Sequence, residues 1–171
     1  MTAYVALVRA VNVSGTGKLL KEDLKAMGAA CNFDDCRTFI NSGNLLFTSE
    51  LPEAEVRDRL GAKLSEHFGR PVGLFIRSVG EMAEAAARNP FADDKPSRVM
   101  AYFIDEKPVQ AMVDEARDVQ GERVALGPRL IYVSYGDGIG NSKLKLRATK
   151  HGTARNMNSV AKIAGLLARL E

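Results

Sequence analysis

The chain has 171 residues, 46% of them hydrophobic, which is enough for one compact domain or two small halves and is not the composition of a disordered chain. A net charge of +3 does not demand a nucleic-acid partner, and two cysteines without a second pair or a neighbouring histidine exclude a zinc-ligand pattern. No apolar run reaches the roughly 18 residues of a membrane span, and the start lacks a basic leader, so a cytoplasmic protein with no membrane role is expected.

Tyr4 to Val11 is an apolar run of strand length, and Leu20 to Ala30 shows helical spacing through Leu24 and Met27. Arg37 to Ile40 and Leu45 to Thr48 flank the turn-rich Asn41-Ser42-Gly43-Asn44, predicting a β-hairpin. Apolar residues at Val56, Leu60, Leu64 and Phe68 recur every four positions and predict a helix from Pro52. Val72 to Ile76 then reads as a strand, so the first half, residues 1–77, runs β-α-β-β-α-β, the ferredoxin-like split βαβ order.

The second half, residues 78–171, opens with a helix over Glu81 to Arg88 that ends at Asn89-Pro90-Phe91, where proline stops the hydrogen-bond ladder. A strand over Val99 to Ile104 follows, then a helix over Pro108 to Arg117 and a hairpin of Val124 to Leu126 with Leu130 to Val133. The order β-α-β-β-α repeats that of the first half, a duplication of topology without residue-level repeats. The predicted fold class is therefore α/β, of the α+β kind: two ferredoxin-like βαββα halves in one compact unit, closed by an amphipathic helix with Met157, Val160, Ala164 and Leu167 on one stripe. Both faces of the first strand are apolar, so both must be covered, by the other half or by the final helix.

The charge is unevenly spread. Residues 138–170 carry seven cations and no carboxylate, whereas residues 1–137 have 17 Lys and Arg against 20 Asp and Glu. If Ser142 to His151 is helical, Lys143, Arg147 and Lys150 project from one face. The run leads into Arg155, Asn156 and Asn158, taken as the start of the last helix, where free N–H groups and the helix dipole favour an anion. A solvated face accounts for the lysines and helix capping for Thr153 and Asn156, so each residue also has a purely structural reading. Arg9, near the end of the first strand, together with Asn12 and Asn44, completes the set of candidate ligand contacts.

The loop Asn12 to Lys18 sits between strand and helix, as phosphate loops do, but Asn12 and Leu19 break the Walker pattern and a flexible connection explains its glycines. Cys31 and Cys36 read as reduced structural thiols, with Asp34 and Asp35 opposing ionisation. His67 ends an apolar helix and His151 sits among cations, neither beside a partner that would make a catalytic pair. No metal site, cofactor or reaction is legible, and the oligomeric state is open.

The motifs Tyr4-Val5-Ala6-Leu7-Val8-Arg9-Ala10-Val11-Asn12-Val13-Ser14-Gly15, Phe39-Ile40-Asn41-Ser42-Gly43-Asn44, Asn89-Pro90-Phe91, Ser142-Lys143-Leu144 and Thr153-Ala154-Arg155-Asn156-Met157-Asn158 occur in one order along the chain. In this it resembles the bacterial family classed as domain of unknown function 1697. The resemblance implies an α/β fold of ferredoxin-like halves and no established activity. Against the family pattern, Ala10 and Ser14 replace glycines and Met157 replaces a tryptophan, which weakens any stacking role there while keeping a packing one. The function expected is binding of an anionic or phosphate-bearing small ligand. A nucleic-acid surface and a ligand-free scaffold are the alternatives.

Overall fold

The computed structural model describes residues 1–9, 19–40, 43–136 and 139–171. The loop from Asn12 to Lys18 and the hairpin-tip residues Asn41 and Ser42 lie outside them. Two compact units are present, the first made of residues 1–80 with 163–171, the second of residues 81–162.

In the first unit, β1 (Thr2–Val8), α1 (Lys21–Ala30), β2 (Asp34–Thr38), β3 (Asn44–Ser49), α2 (Glu53–Phe68) and β4 (Leu74–Ser78) form an antiparallel sheet of order β2-β3-β1-β4. This is the β-α-β-β-α-β order read from the sequence. Helix α2 carries the four-residue repeat, and Val56, Leu60 and Leu64 are fully buried against the sheet-face residues Tyr4, Ala6, Phe47 and Ile76. Glu53 and Glu55 in its first turn suit the helix dipole, and Gly69, at φ 69°, ends it with an N–H bond to the Ser65 carbonyl. Val5 and Leu7, on the other face of β1, are also buried, so both faces of that strand are covered as expected. Strand β2 begins earlier than the apolar pattern suggests. Its register shifts between Asp34 and Arg37, where Asp35 takes φ 52°, a β-bulge that the alternation does not encode.

Cys31 is buried and Cys36 half-buried, and both are free thiols. Burial pushes both thiols up, with the Asp34 charge adding to the effect at Cys36, so neither is poised to react.

The second unit repeats the sheet order as β6-β7-β5-β8. Its strands are β5 (Val99–Phe103), β6 (Arg123–Gly127), β7 (Leu130–Ser134) and β8 (Thr153–Asn156), with α3 (Val79–Ala87) leading in, α4 (Gln110–Asp114) after β5, and α5 (Met157–Ala168) after β8. The β6–β7 hairpin turns on Pro128 and Arg129, the latter at φ 58°, the pattern of a type II turn. The stripe Met157, Val160, Ala164 and Leu167 of α5 is buried throughout. Two expectations are corrected. Thr153 to Asn156 is a strand paired with β5 that leads into the last helix at Met157, so Arg155 sits in a strand and not at the helix start. Ser142 to His151 is not an α-helix: where the first unit has α2, the second has an irregular segment with short 3₁₀ turns at Ile139–Asn141 and Arg147–Thr149.

Tyr132 in β7 is fully buried and donates to the Ala85 carbonyl at 2.6 Å. Burial pushes its pKa from 10.0 up to about 12. Its contribution is complete below pH 10; as pH climbs towards 12 the unfolded chain ionises while the folded one does not, and stability falls. Tyr132→Phe should therefore cost about 1–2 kcal/mol at neutral pH by leaving a buried carbonyl unpaired, and should flatten the alkaline fall in Tm. An unchanged alkaline slope in calorimetry would rule out this assignment.

Candidate functional site

The segment between β7 and β8 is pinned at both ends and in the middle. At its start the Ser142 hydroxyl donates to the Glu122 carboxylate at 3.1 Å, and the Leu144 N–H donates to the same hydroxyl at 3.2 Å. Glu122 also accepts the Gln120 N–H at 2.6 Å, and that backbone bond, more than the Ser142 one, holds its carboxyl below the usual carboxylate range. In the middle, Lys145 and Arg117 exchange backbone hydrogen bonds of 2.9 Å each way. At the end, Thr149 donates its hydroxyl to the Leu146 carbonyl at 2.8 Å, and Gly152 leads into β8. A Cβ at Gly152 would stand 2.5 Å from the Phe103 carbonyl oxygen, so glycine alone fits there without moving backbone.

Side chains in this stretch alternate. Leu144 and Leu146, with Ala148, pack on the apolar cluster of Ile104, Ile131 and Val133, while Lys143, Lys145 and Arg147 are exposed. Anchoring the leucines thus turns the cations outward. Arg117, Lys145, Arg147 and Lys150 line one open depression of about 680 Å³, and Glu115 is the carboxylate among them. Four cations against one carboxylate leave three net positive charges. Lys145 Nζ lies 3.7 Å from the Asp118 carboxylate in an exposed pair, the kind that neutralises little.

The residues singled out by sequence are distributed as follows. Arg147 and Lys150 meet in the depression, joined by Arg117 and Lys145, which sequence reading did not name as contacts; Lys143 is exposed but does not line it. Arg155 is buried in β8, opposite Ala101, and donates from Nη1 to Thr153 Oγ1 at 2.7 Å and to the Ala154 carbonyl at 2.9 Å. Burial lowers its pKa to about 10. The Asn156 side-chain oxygen accepts the Ser159 N–H at 2.9 Å, a helix cap, and Asn158 is exposed on α5. In the first unit, the Arg9 stem lies against Gly73, where a Cβ would come within 2.9 Å of it, and the Arg9 N–H donates to the Gly73 carbonyl. Asn44 is buried and donates to the Phe39 carbonyl at 3.0 Å, bracing the hairpin as turn chemistry would have it. Asn12 lies outside the described residues.

The Asn89-Pro90-Phe91 motif forms a clasp in the second unit. Asn89 Oδ1 accepts the Phe91 N–H at 2.9 Å, and the Arg123 guanidinium stands 4.7 Å over the buried Phe91 ring. Asp94 accepts from Ser134 at 2.6 Å and from Arg123; the Ser134 hydrogen bond foremost holds its carboxyl below the ordinary value. Among the described residues no group of three metal-ligating side chains comes together, and no helix is long and apolar enough to cross a membrane.

Comparison with known proteins places these features. A family model described as "Protein of unknown function (DUF1697)" matches residues 1–132, so the basic segment, and with it the Ser142 and Thr153 motifs, lies beyond the matched range. A solved structure of a conserved bacterial protein from Streptococcus pneumoniae is similar over 97% of this chain and 98% of its own, with a TM-score of 0.80 and 24% identity. At that identity the likeness shows the fold. None of the curated proteins matches the chain.

Proposed function

Since the chain belongs to the DUF1697 family, whose description assigns no activity, we propose from the geometry that it binds an anionic, phosphate-bearing small ligand in the basic depression of its second unit. The observation that carries this reading is the convergence of Arg117, Lys145, Arg147 and Lys150 on one depression, with the segment held by a bridge at Arg117 and Lys145 and by Leu144 and Leu146 packed on the apolar cluster. A held backbone limits the entropy lost when the cations meet an anion, and guanidinium forks match phosphate oxygens. Three net charges suit a ligand with two or three negative charges. Arg147 and Lys150 are the contacts on which the reading rests; the remaining residues singled out by sequence, Lys143, Arg155, Asn156, Asn158, Arg9, Asn12 and Asn44, are secondary candidates.

The nucleic-acid alternative has less support. Among the described residues the exposed large hydrophobics are Met1, Leu20, Ile40, Val109 and Val119, with no aromatic to stack on a base. Titration with inorganic pyrophosphate is the direct test. The double variant Arg147→Ser, Lys150→Ser should bind about tenfold or more weakly, with an unchanged Tm when no ligand is present, because both side chains are exposed. Equal affinity in the two proteins would remove this site from consideration, and a steep salt dependence confined to oligonucleotides would favour the nucleic-acid reading.

A further inference from the structure

The basic depression does not end at its cations. A second depression of about 530 Å³ shares Glu115, Arg147 and Lys150 with it and continues over Val109, Met112 and Ala148. Its volume alone is within the range of small-molecule sites. Val109 leaves 46% of its surface exposed and lines the second depression, next to the residues that the two depressions share. Met112 and Ala148 are half-buried members of the apolar cluster beneath, so the floor here is held rigidly by the core. A bare inorganic anion would fill the cationic part and leave this floor wet.

We infer that the ligand is an organic diphosphate with an apolar body, its diphosphate held by Arg117, Arg147 and Lys150 and its body lying over Val109, Met112 and Ala148. This rests on the anion-binding reading and narrows it. The charge complementarity sets the orientation: the head is drawn to the end rich in cations, and the apolar part can then cover only the neighbouring floor. The flanking carboxylates Glu106 and Glu115 disfavour a ligand that is anionic along its whole length, such as a polyphosphate chain.

Isothermal titration with pyrophosphate, geranyl diphosphate and ADP tests the inference. Geranyl diphosphate should bind about tenfold more tightly than pyrophosphate. Val109→Asn should abolish that increment without weakening pyrophosphate, and Val109→Leu should keep it. The variants are safe for folding because the side chain is on the surface. Equal binding of pyrophosphate and geranyl diphosphate would overturn the apolar-body inference and leave the anion site standing. ADP binding more tightly than geranyl diphosphate would overturn it in favour of a polar body. Failure of all three to bind would overturn the anion site itself.

Discussion

Replacing Phe47 with alanine is expected to destabilise the protein by about 3–5 kcal/mol, a large fraction of the stability of a typical domain. Phe47 is fully buried in β3, stacked on Phe33 with ring centroids 4.3 Å apart and an interplanar angle of 10°, and tilted against Tyr4 at 5.8 Å. Three rings from three separated stretches of chain meet there, one from β1, one from β3 and one from the loop between α1 and β2. Truncation removes both stacking partners' contacts and leaves a cavity that rigid neighbours cannot close. Phe47→Leu should recover part of the loss. Urea unfolding gives the answer, and a change below about 1 kcal/mol for the alanine variant would mean that the core of the first unit relaxes around the gap.

The second large effect concerns Arg155, and it separates charge from volume. Burial lowers its pKa to about 10, so desolvation disfavours the charged guanidinium by about 3 kcal/mol. The sign follows: the unfolded chain holds this proton more tightly, so the term opposes folding at neutral pH and fades only as pH passes above about 10. Arg155→Ala removes the side-chain volume beside Ala101 and the bonds to Thr153 and Ala154, and should cost about 2–4 kcal/mol. Arg155→Met keeps most of the volume and sheds the desolvation penalty, so it should cost less than half as much. Equal losses would show that the hydrogen bonds within β8, and not packing against Ala101, set the contribution of Arg155. In either case the alanine variant is a stability probe. Exposed Arg147 and Lys150 are the residues with which to question binding.

Sequence reading recovered the elements whose signal is local. The four-residue repeat of α2, the Pro-Arg turn of the second hairpin and the apolar stripe of α5 each lie within one stretch of chain, and each is found where expected. Strand β8 was not recovered, because Thr153 to Asn156 is short and polar and becomes a strand only by pairing with β5, far off in sequence. The basic segment was misread although its signal was present. Lys143-Leu144-Lys145-Leu146-Arg147 alternates with period two, the strand period, and in the fold it contributes a bridge to Arg117 instead of a helical turn. The spacing of Lys143, Arg147 and Lys150 also fits one helix face, and pairing with Arg117 decided for the extended form. The part played by Arg117 had no sequence signal, since its proximity to Arg147 and Lys150 exists only after the chain folds.

The last nine residues, 163–171, belong with residues 1–80, and the Ala3 amide donates to the Glu171 carboxylate at 3.1 Å. On the ribosome this reverses the customary sequence of events, in which the amino-terminal domain is finished first. Strand β1 must wait for Glu171, whereas residues 81–162 have all their own chain before that residue is made. A segment placed directly after Glu171 would crowd β1 as well as the residues it follows, and a nascent chain stalled before residue 163 would carry an unfinished first unit for chaperones to shield.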